Sequence, residues 1–276
     1  MSGADPGRPA IVLRGVSRDF ETPGGATYCA VRDVSLAVAP GAFVSIVGPT
    51  GCGKSTLLNL VAGLLAPTAG QVEIGGVPLA GLNRRATYMF QQDALLPWKS
   101  VLDNVGLGLV FAGRPRDEAR QAARAWLDRI GLAPFADRFP AQLSGGMRKR
   151  VAMAQNWAMD RDILLMDEPF SALDVHTRQA METELLTLWT GSSKTVVFVT
   201  HDLEEAIALA DEVIVISAGP ASRVVARHVV PLARPRDLVD IRTMAAFNDL
   251  YGTIWASLRG EVLKSREAGQ AGGVDA

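Results

Sequence analysis

Short, fully apolar runs alternate along the chain with longer amphipathic stretches. Phe43–Val47 (FVSIV), Ile163–Met166 (ILLM), Thr195–Val199 (TVVFV) and Val213–Ser217 (VIVIS) lack polar alternation, as expected of strands covered on both faces of a parallel sheet. Ser55–Leu65, just after the first run, reads as a helix. This order predicts an α/β domain. Between about Ala94 and Asp160 the character changes. The stretch is rich in Ala, Arg and Leu (ARQAARAWLDRI) with few β-branched clusters, which predicts a helical insertion. From about Arg223 the sheet pattern is expected to end. Arg242–Leu263 then places Phe247, Leu250, Tyr251, Ile254, Trp255, Leu258 and Val262 at helical spacing. The closing SREAGQAGGVDA reads as a frayed tail.

Composition narrows the classes. The chain has 276 residues, 48% apolar and 21% charged, which excludes collagen-like and wholly disordered proteins. Its 28 basic and 29 acidic residues leave a formal charge of −1. There is no basic excess to hold a phosphate backbone, so nucleic acid is not an expected partner. Cys29 and Cys52 cannot build a disulfide framework, which fits a reducing compartment. The start, MSGADPGRPA, has no apolar core of a secretory signal. Runs such as Val101–Ala112 fall short of the roughly 20 residues of a membrane span. Any membrane role is expected to come through a partner.

The strongest local signal is Gly48-Pro49-Thr50-Gly51-Cys52-Gly53-Lys54-Ser55-Thr56, which fits the P-loop pattern and lies between a predicted strand and a predicted helix. Its glycines let successive N–H groups point inward around phosphate oxygens, and the helix start adds partial positive charge. Lys54 is suited to the β- and γ-phosphates and the Ser55 hydroxyl to Mg²⁺. Cys52 is read as part of the loop's backbone geometry.

Two further motifs follow. Ile163-Leu-Leu-Met-Asp167-Glu168 is an apolar run ending in two carboxylates. In a P-loop protein the first acid holds the metal and the second orients and deprotonates the attacking water. Leu143-Ser144-Gly145-Gly146-Met147 is a glycine-rich turn feeding a helix, hence a second helix terminus with free N–H groups.

GPTGCGKST, LSGGM, ILLMDEP, Ser171-Ala-Leu-Asp174 and Thr200-His201-Asp202, in this order and spacing, resemble an ABC-type ATPase subunit over about residues 11–265. Met89-Phe90-Gln91, Ala94-Leu-Leu-Pro-Trp98 and Ala233-Arg-Pro-Arg236 extend the likeness to ATP-binding subunits of bacterial nitrate/sulfonate/taurine-type importers. The resemblance implies a RecA-like core with an antiparallel β subdomain (about 11–93 and 160–220). It also implies a helical subdomain (about 94–159), a C-terminal helical extension (about 236–265) and a tail (266–276). It implies ATP and Mg²⁺ as ligands, and a homodimer under integral membrane permease subunits that a solute-binding protein serves, on the cytoplasmic face of the inner membrane.

Residue by residue, the resemblance makes Phe20 the aromatic that stacks on adenine, with Tyr28 a weaker candidate. Gln91 senses Mg²⁺ and the attacking water, Gln92 being the alternative. Ser144, Gly145 and Gly146 close over the γ-phosphate of the opposite protomer. Asp174 lies on the loop crossing the dimer interface, and His201 contacts the γ-phosphate. Catalysis falls to Glu168, His201 and Gln91, and Mg²⁺ to Ser55, Gln91 and Asp167. His176 and His228 have no comparable support, and no His/Cys cluster suggests zinc. Met147 replaces a glutamine usual in the signature, Gln155-Asn156 replaces Ala-Arg, and Ala42 replaces an acid. The Leu95–Trp98 tip reads as part of a groove for a permease helix. An ABC ATPase of repair or translation is the alternative function.

Overall fold

The computed structural model describes residues 8–271, which divide into two compact units, residues 8–84 with 192–271, and residues 85–191. The first stretch of unit 1 holds β1 (Ile11–Glu21), β2 (Thr27–Val38), β3 (Phe43–Val47), α1 (Lys54–Ala62), β4 (Ala69–Ile74) and β5 (Val77–Pro78). Unit 2 holds β6 (Ala86–Met89), α2 (Val101–Phe111), α3 (Arg116–Arg129), α4 (Gly145–Ala158), β7 (Ile163–Asp167) and α5 (Val175–Thr190). The chain then returns to unit 1 with β8 (Thr195–Val199), α6 (Leu203–Leu209), β9 (Glu212–Ile216), β10 (Val224–Val229) and α7 (Ala245–Ala271).

Unit 1 carries an antiparallel sheet in the order β2-β1-β4-β5 and strands in the order β10-β9-β3-β8. β3 pairs in parallel with both β8 and β9. All five residues of β3 and of β8 are buried, which is why both read as unbroken apolar runs. Phe43 and Phe198 meet between them with ring centroids 5.7 Å apart. In unit 2, β6 pairs in parallel with β7, and α2, α3 and α4 pack on one another. The helical run expected between Ala94 and Asp160 lies within this unit.

Several expected boundaries move. The first helix stops at Ala62 instead of Leu65, because Gly63 turns left-handed at φ 70° and its amide closes on Asn59 and Leu60 carbonyls. A Cβ there would sit 1.9 Å from the Gly81 carbonyl oxygen. The sheet does not end at Arg223: β10 adds an antiparallel edge to β9, and its alternating exposure hid it among polar residues. The terminal helix begins at Ala245 after a 3-10 turn at Asp240–Thr243 and continues to Ala271, beyond residue 265 where the tail was expected. Residues 272–276 lie outside the described residues. On that helix Phe247, Ile254 and Leu258 are buried, whereas Trp255 is exposed.

The Leu95–Trp98 segment also differs from a uniform apolar tip, since Leu95 is buried while Trp98 is 71% exposed. Buried Asn104 fixes this shape. Its amide donates to the carbonyls of Leu96, Lys99 and Ser100, and its Oδ1 accepts the Leu96 N–H at 2.7 Å.

One polar cluster secures α6, whose last carbonyls have no intrahelical partner. Arg236 Nη1 donates to the carbonyls of Ile207, Ala208 and Ala210, the last at 2.7 Å. Arg234 Nη2 donates to Leu209 O at 2.6 Å, and its Nε to Asp211. Asp211 in turn accepts the Phe43 N–H at 2.9 Å, tying this cluster to β3. Burial, and then the Arg234 charge, pull the Arg236 guanidinium down to about 10. Arg236→Met therefore strands several buried carbonyls and is expected to cost about 3 kcal/mol. The check is a lowered urea midpoint with an unchanged slope.

Candidate functional site

Phe20, the P-loop and His201 lie in unit 1, whereas Gln91, Ser144–Gly146, Asp167, Glu168 and Asp174 lie in unit 2. Between β3 and α1 the chain turns back through Gly48–Gly53. Gly53 holds φ 91° and serves as the cap of α1 with no side-chain bond to its N–H groups, and the first turn carries no acid. A Cβ on Gly53 would sit 2.8 Å from Val31, and one on Gly48 2.7 Å from Ile216, so neighbouring strands hold the turn closed. Lys54 is 5% exposed. Its Nζ spans the loop, donating to Gly48 O at 3.0 Å and Pro49 O at 2.9 Å. Cys52 is buried, while Thr50 and Ser55 are exposed. The result is a glycine-rich turn at a helix start with one ammonium and the exposed hydroxyls of Thr50 and Ser55, chemistry suited to a polyphosphate.

Phe20, near the end of β1, is half-buried and faces Tyr28 across the ladder. The Arg18 guanidinium lies 4.6 Å from its ring centroid. His201 is exposed on a turn that its neighbours lock. Thr200 Oγ accepts the Asp202 N–H at 3.0 Å and donates to the Glu205 carboxylate. Asp202 caps α6 by accepting the N–H groups of Glu204 and Glu205.

In unit 2, β7 ends in Asp167, whose Oδ2 accepts the Tyr88 hydroxyl at 3.2 Å. Burial, then the Asp167 charge, raises the Tyr88 phenol far above its ordinary value, so it remains a donor. Glu168 sits at φ 43°, a left-handed conformation that costs a non-glycine residue about 1–2 kcal/mol. Ser171 holds that turn, donating its N–H at 3.3 Å and its Oγ–H at 3.0 Å to Glu168 O. Gln91 Nε2 donates to the same Ser171 Oγ at 3.3 Å. Gln91 and the Glu168 turn are thereby joined through one hydroxyl.

Ser144 caps α4, accepting the Met147 N–H at 3.3 Å. Gly146 has no room for a side chain, since a Cβ would lie 2.8 Å from Thr177. Asp174 caps α5 through Thr177 N–H at 3.0 Å, and hydrogen bonds from the Thr177 hydroxyl and amide hold its carboxyl below the usual range. Ser144, Gly146, Arg150, Asp174 and Thr177 line one cleft of about 450 Å³.

Tyr88, Ser171 and Thr177 were given no role by sequence reasoning. Nothing in their spacing distinguishes a tyrosine or hydroxyl that bonds a site residue from an ordinary one. Asn156, where an arginine was expected, donates to Ala152 O at 2.8 Å on its own helix. His228 meets Ser257 at 3.3 Å. Among the described residues no three His, Cys, Asp or Glu side chains converge as a metal cluster, and no helix is long and apolar enough to cross a membrane.

The ABC transporter family pattern matches residues 31–171. The taurine import ATP-binding protein TauB of Yersinia pseudotuberculosis is 47% identical over 191 residues, 69% of this chain and 75% of its own length. The nitrate import ATP-binding protein NrtC of Synechococcus elongatus is 39% identical over 237 residues, 85% of this chain and 36% of its own length. A dimeric ATP-binding cassette in a post-hydrolysis state with ADP and Pi superposes with a TM-score of 0.70 at 33% identity, covering 81% of this chain and 100% of that one. The chain thus belongs to the ABC transporter family as an ATP-binding ATPase.

Proposed function

We propose that this chain hydrolyses ATP as a homodimer and couples that hydrolysis to uptake of a small solute, of the taurine, sulfonate or nitrate kind, through membrane permease subunits. The carrying observation is the likeness to TauB, supported by the glycine-led helix starts of α1 and α4. A solute-binding protein would deliver the cargo, and the inner face of the cell membrane would be the working place.

In this reading Phe20 stacks on adenine, with Arg18 polarising its ring. Amides of Gly48–Thr56 and the Lys54 ammonium hold the phosphates. The oxygen donors Ser55, Gln91 and Asp167 suit a hard cation such as Mg²⁺. Tyr88 donates to Asp167 Oδ2 and Ser171 accepts from the Gln91 amide nitrogen, which orients both side chains. Bound Mg²⁺ would neutralise charge on the phosphates. Glu168 takes the proton of the attacking water, and His201 contacts the γ-phosphate. Ser144, Gly145 and Gly146 present the start of α4 to the nucleotide of the partner protomer, beside Asp174.

Glu168→Gln keeps the side chain's shape but cannot accept a proton, so turnover is expected to fall about 10²–10⁴-fold. ATP binding should persist, and an ATP-dependent dimer should accumulate by mass action. Gel filtration with and without Mg²⁺–ATP reads both, and near-normal turnover removes Glu168 from the base role. Ser144→Arg places a long side chain in the α4 cleft and is expected to abolish turnover while nucleotide binding to the P-loop survives. Trp98→Ala removes an exposed side chain, so transport and membrane association should weaken more than ATPase activity of the isolated chain. Equal loss of both, with a lower melting temperature, would instead make Trp98 a packing residue.

A further inference from the structure

Lys149 is 3% exposed, yet it belongs to neither the P-loop nor the signature turn. It lies on the buried face of α4, one turn before buried Ala152 and Met153. Burying an ammonium is costly unless its protons are met. Here they are met by one segment. Lys149 Nζ donates to the Gln91 carbonyl oxygen at 2.7 Å and pairs with Asp93 at 3.0 Å. The adjacent Arg148 also pairs with Asp93 at 3.1 Å, and its Nη1 donates to Leu143 O at 2.8 Å. Two successive residues of α4 therefore grip residues 91–93 and the turn that starts the same helix.

We propose that Lys149 is a positioning residue: it locks the backbone of Gln91 to the helix that begins at Ser144–Gly146, so that the Gln91 amide and the signature turn are held as one piece. The grip is on the backbone of Gln91, and the side chain of that residue is in turn aimed by Ser171, which holds the Glu168 turn. Freed of Lys149, the carbonyl of Gln91 would have to find another donor, and the loop would shift with it. The inference rests on the reading of Gln91 as a residue that senses the attacking water.

Lys149→Met alone leaves Asp93 partly unpaired and can lower stability for that reason only. The informative protein is the full chain carrying Lys149→Met with Asp93→Asn, which removes both charges, compared with Gln91→Ala and with the triple variant. Phosphate release at saturating Mg²⁺–ATP, KM for ATP and melting temperature are measured for each. The expected result is a double variant that melts near the unaltered protein and keeps its KM within about threefold. Its kcat should fall about 10- to 100-fold, as displacement of a reacting group by about 1 Å can do. In the Gln91→Ala background the same pair of changes should add less than about twofold, since residues acting through one another are not additive. An unchanged kcat in the double variant, or full additivity with a damaging Gln91→Ala, overturns the role of Lys149 and leaves Gln91 in place. Normal turnover by Gln91→Ala itself overturns the reading of Gln91, and the positioning role with it.

Discussion

The N-terminus of α1 is left without a side-chain cap, and its first turn has no acid to satisfy it. The positive end of the helix dipole therefore faces the turn from β3. Most helices avoid this arrangement; here the chain spends a left-handed glycine and a close approach to Val31 to create it. Lys54 adds a full charge and, with its stem buried, meets the carbonyls of Gly48 and Pro49. The whole arrangement suits a polyphosphate. The buried strands β3, β8 and β9 hold the turn rigid enough to present it.

The second unit carries its own acceptors and a second helix start. α4 is capped by Ser144 itself, whose hydroxyl accepts the Met147 N–H. Around the acid-ended strand β7 the polar groups are chained: Tyr88 to Asp167, Ser171 to Glu168, Gln91 to Ser171. Such a chain holds these side chains in fixed orientations. It also explains how Glu168 stays in a left-handed turn that its side chain disfavours, since Ser171 closes that turn with two donors.

Lys149, Arg148 and Asp93 connect these two features of the unit. A helix moves as a rigid body, because its backbone bonds are mutually supporting. Tying residues 91–93 to α4 makes the position of the glutamine loop a function of helix position. In the other unit, Arg234 and Arg236 do comparable work for α6, the helix that follows His201. In both places a long cationic side chain reaches backbone carbonyls that regular structure leaves unpaired.

Much of this was legible in the amino-acid order. Phe43–Val47 and Thr195–Val199 could be read to the residue because burial on both faces leaves no polar position to blur their ends. The P-loop, the signature turn and the Asp167-Glu168 pair were legible because their backbone conformations and chemistry admit few residue types at fixed spacing. β10 was not, since an edge strand alternates with polar residues as a loop does. Trp98 and Leu95 are apolar residues three apart on one tip, and only the buried Asn104 decides that one points out and the other in. Tyr88 and Lys149 were silent for a related reason. A tyrosine in a short strand and a lysine in a basic helix have ordinary surface readings, and their roles arise from partners 79 and 58 residues away in sequence. Local pattern fixes which groups have unmet backbone needs; only the packing of distant segments decides which side chain meets them.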